Sequence, residues 1–419
     1  MRKIILGLVL ASWLMVGLPA CGGPTVEVYN PAGIREDGVY VDELLKKTMD
    51  EVGKTRPPLA DQFPRGRTEK VRAGNDVYAG VNALFYKRGW TDGLPIVPPT
   101  IDKVRAMLKG TDLPPEQVVG IVEGMKGQAT VEKIAVNAVM AGCRPEYMPV
   151  LIAAVQAIAE PEFGLFGLAA TTNPDTPMLI INGPIINELD INAGTNALGR
   201  GWQANATIGR ALHLIVNNVG GSWPGVSDMS CFGTPGDYTM LLAENEEKNP
   251  WGPLQVELGF AKGANVVTAV GAEGTQGILG IGWDSEGFLR VVSAHLAGLE
   301  RQERPVVLLL IAQDTAAMLA RDGYTKDSIR EYIAEHARIP YAEYKARFLD
   351  AGKEAPEVLG KLDRNGMVPV PVIDQLLIVV SGGPGEKSML IPGWGGSKAI
   401  SKEIALPPNW DELLEEANK

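Results

Sequence analysis

Residues 171–221 constrain the fold most, because they dictate a strand, a long loop and a helix in immediate succession. Met178-Leu179-Ile180-Ile181 is a short apolar run bounded by Pro177 and by Asn182-Gly183-Pro184, the pattern of a buried strand. A loop rich in Gly and Asn follows, through Asn192, Gly194, Asn196, Gly199 and Gly201. Ile208, Ala211, Leu212, Ile215, Val216 and Val219 then recur at helical spacing as a core-facing stripe, which Gly220-Gly221 ends. The opposite face of this helix carries Arg210, His213 and Asn217, flanked by Asn205 and Asn218, where a solvated face would hold several Lys and Glu. That face is expected to line a cleft or to pack on other loops. A strand emptying into a Gly-rich loop and a helix N-terminus is also the generic anion cradle. Arg210, His213 and Asn196 are therefore candidates to meet a small anionic ligand. The spacing is neither a dinucleotide fingerprint nor a Walker loop, so no nucleotide is implied. A purely structural loop tied down by Asn side chains fits the same residues.

The rest of the chain alternates between the same two element types. Short apolar runs at 264–270, 305–311 and 375–380 read as buried strands, and 163–171 reads as another. Helical spacing recurs at 41–52, 77–86, 131–141, 287–299 and 326–337. The pattern predicts an α/β protein with a mostly parallel or mixed sheet and helices on both faces. Leu179-Ile180-Ile181-Asn182-Gly183-Pro184 and Ile378-Val379-Val380-Ser381-Gly382-Gly383-Pro384 place Gly and Pro alike where a strand empties, which is consistent with two similar halves.

The ends of the chain carry an address. Arg2-Lys3 precedes an apolar stretch too short to span a bilayer, and Leu18-Pro19-Ala20-Cys21 is a lipobox-like close to it. Residues 1–21 are thus expected to be a lipoprotein signal peptide, with Cys21 lipidated and the protein anchored in the bacterial envelope, on the periplasmic or extracytoplasmic side. Residues 22–75 read as a tether and peripheral arm, 76–405 as the main body, and 406–419 as a charged tail. A formal charge of −11, with no basic stripe to offset it, excludes nucleic acid as a partner.

Cys143 lies in the turn Gly142-Cys143-Arg144-Pro145-Glu146 between two helices. A helix start and a neighbouring cation both stabilise a thiolate, although a buried Cys is by default an inert apolar residue. Glu244 and Glu246 follow a strand, where open α/β sheets place their ligands; a solvated charged loop would look the same. Trp90 and Asp92 sit in a Gly-bounded, Pro-rich loop that cannot be helical. Only three His and three Cys are present, with no C-x-x-C and no H-E-x-x-H, so no classical metal cluster is indicated, a carboxylate-rich site at Glu244 and Glu246 stays open, and the sequence names no cofactor.

Gly89-Trp90-Thr91-Asp92-Gly93-Leu94-Pro95, Met140-Ala141-Gly142-Cys143-Arg144-Pro145-Glu146-Tyr147 and Ala243-Glu244-Asn245-Glu246-Glu247 together resemble the markers of a bacterial family. Its larger members often carry a C-terminal selenocysteine- or cysteine-Gly-Ser-Cys motif, the UGSC type. The likeness runs from about residue 78 to about residue 402. The resemblance implies that Cys143, Arg144 and Glu146 form one family marker, and this chain has no Cys-Gly-Ser-Cys. Two readings of function stay open. One is an envelope enzyme using Cys143 as thiolate and His213 as acid or base, with Arg210 holding an anionic substrate. The other is a non-catalytic solute-binding lipoprotein for a small anion.

Overall fold

The computed structural model describes residues 25–52, 59, 63–64, 66–299, 306–349, 360–369 and 375–419. The expected leader and Cys21 lie outside them. Among the described residues no helix is long and apolar enough to cross a membrane.

The chain begins with β1 (Thr25–Tyr29), α1 (Val41–Val52), β2 (Thr68–Arg72), α2 (Val77–Lys87) and α3 (Ile101–Met107). The hairpin of β3 (Val118–Val122) and β4 (Gly127–Thr130) leads into α4 (Val131–Ala141) and α5 (Met148–Ile158). Residues 163–171, expected as a strand, contain helix α6 (Leu165–Ala170) instead. Leu165, Leu168 and Ala169 are its buried residues, a spacing of three and four rather than alternation.

Among the described residues two four-stranded sheets follow, with the short helices α7 (Ile185–Glu188) and α9 (Leu254–Glu257) and the small strand pair β10 (Arg338–Pro340) and β11 (Met367–Pro369) between their strands. The first combines β5 (Thr176–Asn182), β6 (Leu241–Ala243) and β7 (Val266–Ala272) with β14 (Ile400–Glu403), in the order β14-β7-β5-β6. The second combines β9 (Val306–Ile311), β12 (Gln375–Val380) and β13 (Lys387–Pro392) with β8 (Gln276–Leu279), in the order β12-β9-β13-β8. In each sheet the central strand has one parallel neighbour, β6 on β5 and β12 on β9. Its other neighbour is antiparallel, β7 on β5 and β13 on β9, and a further antiparallel strand completes the sheet. The two halves therefore repeat one topology, and they exchange their fourth strands: β8 leaves the first half to pair with β13, and β14 leaves the second to pair with β7. Ala272 bridges Gly393 where the two inner strands meet.

The sheets stack face to face. Met178 and Ile180 of β5 share a core with Leu308 and Leu310 of β9 and with Leu377 and Val379 of β12. The alternate residues point outward. Leu179, Ile181 and Val267 pack under α4, α5 and α8 (Gln203–Asn218). Leu309, Ile311 and Ile378 pack under α10 (Ser285–Ala297), α11 (Gln313–Arg321) and α12 (Lys326–His336). The result is a four-layer αββα sandwich of mixed sheets. Helices cover one face of each sheet and the partner sheet covers the other, where helices on both faces of one sheet were expected. A continuous apolar run such as Val306–Ile311 reports two covered faces without saying what covers them.

The arm is more than peripheral. Val28, Val41, Leu45, Met49 and Val71 are buried, Lys133 donates to the Asn30 carbonyl, and Arg67 and Arg88 pair with Glu132 and Glu69. These contacts satisfy the polar residues that α4 buries; Asn137 accepts from Asn218 at 2.7 Å. The charged tail is likewise a docked helix, Trp410–Ala417, with Trp410 and Leu413 buried and Trp410 Nε1 donating to Glu188 at 3.0 Å.

Candidate functional site

A cavity of about 600 Å³ opens between the start of β5, the polar face of α8, the turn at Thr91-Asp92-Gly93 and the loop at 222–238. Helix α8 is buried along nearly its whole length, so its two faces meet two different environments. The aliphatic stripe enters the core. The polar face carries Arg210, which closes a bidentate pair with Asp92 (Nε–Oδ2 2.7 Å, Nη2–Oδ1 2.9 Å) and also donates to Pro95 O at 2.9 Å. One turn along, His213 and Asn217 line the cavity. Asn82 holds the 91–98 loop in place through both backbone groups of Ile96, at 2.7 and 3.0 Å.

His213 is 5 % exposed. Its Nδ1 lies 3.4 Å from Thr176 Oγ1, and its Nε2 has no hydrogen-bond partner. Burial pulls the imidazole down to about 4, against the nearby Asp92 carboxylate, so the ring is neutral at pH 7. Three further carboxyl groups, Asp175, Asp228 and Asp237, line the cavity. Burial raises Asp228 and Asp237 above the ordinary aspartate range, and Asp228 adds repulsion at Asp237. The lining includes Tyr86, Trp223, Phe232 and Tyr238, and it includes no Lys and no Arg. Phe232 is 96 % exposed at the rim, an unusual position for an apolar ring.

The remaining sequence candidates do not converge on this cavity. Cys143 does not line it, and its Sγ donates to Thr207 O at 3.2 Å. Burial pushes the thiol up to about 12, with only partial relief from that bond and from Arg210. These surroundings disfavour the expected thiolate. Arg144 caps a 3-10 turn, Pro145–Tyr147, and the α-helix begins only at Met148, so the helix dipole is displaced from the sulfur. Arg144 instead pairs with Glu146 and donates to Ala417 O at 3.0 Å, which clamps the C-terminal helix. Trp90 is core, 2 % exposed, with Phe85 edge-on at 5.0 Å and Arg88 stacked at 4.7 Å.

Glu244 and Glu246 form an internal plug at the carboxyl ends of β5 and β6. Glu244 accepts from Asn182 (2.6 Å), Asn249 (2.7 Å) and Leu254 N (2.7 Å). Glu246 accepts from Gly183 N (2.7 Å) and Gln255 (3.2 Å). Both carboxylates are engaged by the protein itself. Arg210, foreseen as an anion clamp, is engaged in the same way by Asp92. Asn196 lines a separate cavity. Among the described residues no cluster of three or more His, Cys, Asp or Glu has the arrangement of a metal site.

Sequence reasoning missed the 222–238 loop. The available signal was charge: from Ala211 to Glu247 the chain has no Lys or Arg, while Asp228 and Asp237 fall among Gly, Pro and aromatic residues. No protein-family model matches the chain, and a search of curated proteins finds no match to it either.

Proposed function

We propose that this protein binds a small organic cation in the His213 cavity, as a non-catalytic receptor tethered to the bacterial envelope through Cys21. The observation that carries the reading is the lining: three carboxyl groups beyond the paired Asp92, four aromatic rings, and no Lys or Arg. An anion would meet three carboxyl groups there and no lining Lys or Arg. A cation is attracted both by them and by the ring faces, each ring contact contributing roughly 0.5–2 kcal/mol when water is excluded. The low pKa of His213 suits the same ligand, since a neutral imidazole does not repel a cation. The notion of Cys143 as nucleophile gains no support from this cavity, because Cys143 does not line it and burial pushes its thiol up.

Titration calorimetry with butylammonium and choline tests the proposal. At least one is expected to bind, more tightly at pH 7.5 than at pH 5, because Asp228 and Asp237 must ionise to pair with it. Asp237→Asn should weaken that binding about tenfold, the loss expected of one partly buried charge contact. Absence of binding by both cations would remove the reading. The anchor is tested separately: Cys21→Ser should move the protein from the membrane fraction to the soluble fraction, and unchanged retention would count against it.

A further inference from the structure

The two halves share a topology, so each presents the same place to a ligand: the carboxyl ends of its parallel strand pair, where loops gather and α/β sheets bind. In the first half this place is filled by the protein's own carboxylates. Glu246 sits on the Gly183 amide and Glu244 on the Leu254 amide at the start of a helical turn. These are the contacts an exogenous anion would make with free backbone N–H groups. In the second half the equivalent place is open. A cavity of about 510 Å³ lies at the ends of β9 and β12, bounded by the Asn196 loop and by the loop Ser381-Gly382-Gly383-Pro384-Gly385.

That cavity carries the opposite charge to the His213 cavity. Lys387 is its single charged lining residue, and no ion pair to it is found among the described residues. Ser388, next along β13, is 7 % exposed and lies opposite Ile311 and Ile278 on the other face of the sheet. Ala312, the N-cap of α11, completes that side and brings the positive end of a nine-residue helix to the rim. Asp314 in the same first turn is committed to the Gly385 amide at 2.7 Å, which holds the loop. Gly382 has φ +93°, and a Cβ on Gly383 would fall 2.1 Å from Thr195 Oγ1, so the loop conformation needs both glycines. The facing wall is apolar, built from Leu198, Leu310 and Met389.

We propose that this second cavity binds the oxyanion of a small amphiphilic molecule, a phosphate ester or carboxylate. Lys387 would hold the anion at the α11 end of the cavity, and its apolar part would rest on Leu198, Leu310 and Met389. The site is independent of the His213 cavity and takes a ligand of opposite charge.

The test is calorimetry on the full chain with inorganic phosphate, octanoate and octyl phosphate. Octyl phosphate is expected to bind more tightly than inorganic phosphate, because only it covers the apolar wall. Lys387→Ala should weaken octyl phosphate about tenfold, the loss expected when a charge-assisted hydrogen bond is removed. The change should alter neither the unfolding transition nor the binding of whichever cation the other cavity takes. Tighter octanoate than octyl phosphate would identify a carboxylate as the ligand group, and the reverse a phosphate ester. Octyl phosphate and octanoate both failing to bind, or binding unchanged by Lys387→Ala, would overturn the site.

Discussion

Asp92→Ala is expected to destabilise the protein by about 3–5 kcal/mol, the range found when one partner of a buried ion pair is removed. The Arg210 and Asp92 side chains are only 15 % and 5 % exposed, and their bonds are bidentate at 2.7 and 2.9 Å. Removing the carboxylate leaves a guanidinium that stays charged at any working pH, buried against α8 with only Pro95 O as acceptor. The cost comes from the stranded charge rather than from the lost attraction. Asp92→Leu combined with Arg210→Met should therefore recover most of the stability, because an apolar pair of similar volume avoids the desolvation of both ions. Denaturant unfolding followed by Trp fluorescence measures both variants. A loss below about 1 kcal/mol for Asp92→Ala would place the pair among exposed salt bridges, which contribute that little.

The second large effect is a pH dependence. His213 has its folded pKa pulled down to about 4 from an ordinary 6.5. Its burial in the neutral form is fully compatible with folding above pH 6.5, and that stability is lost as pH falls toward 4. The depression corresponds to roughly 3 kcal/mol at about 1.4 kcal/mol per pH unit. Asp42 is raised to about 6 by burial, and Asp228, Asp237 and Glu244 are also raised, so these groups shift stability the other way, losing it as pH rises. The contrast between wild type and His213→Gln isolates the imidazole. Between pH 7 and 4 the wild type should lose about 3 kcal/mol more than the variant. Parallel stability curves would show that the ring does not enter the folded state neutral and buried.

What the sequence determined by itself was local. The limits of α1 at 41–52 and of β12 at 375–380 follow from periodicity and punctuation, and the structure has them there. Helix α4 at 131–141 likewise stands where its spacing puts it, with Thr130 accepting from the Lys133 amide at its start. His213 and Asn217 could be assigned to a cleft because a helix face without Lys or Glu must be covered by something other than water.

Tertiary structure decided everything that depends on a distant partner. Arg210 looked like an anion clamp until Asp92, 118 residues earlier, neutralised it. Cys143 looked activated by Arg144 next to it, but its state is governed by burial and by the Thr207 carbonyl 64 residues on. Glu244 and Glu246 resembled a ligand site because strand ends usually are one, and here Asn182, Gly183 and Leu254 converge to occupy them. The exchange of β8 and β14 between sheets leaves no local trace, since an edge strand reads the same whichever sheet completes it. Local rules report which groups need a partner; only the folded chain supplies the partner, and with it the charge, the protonation state and the role.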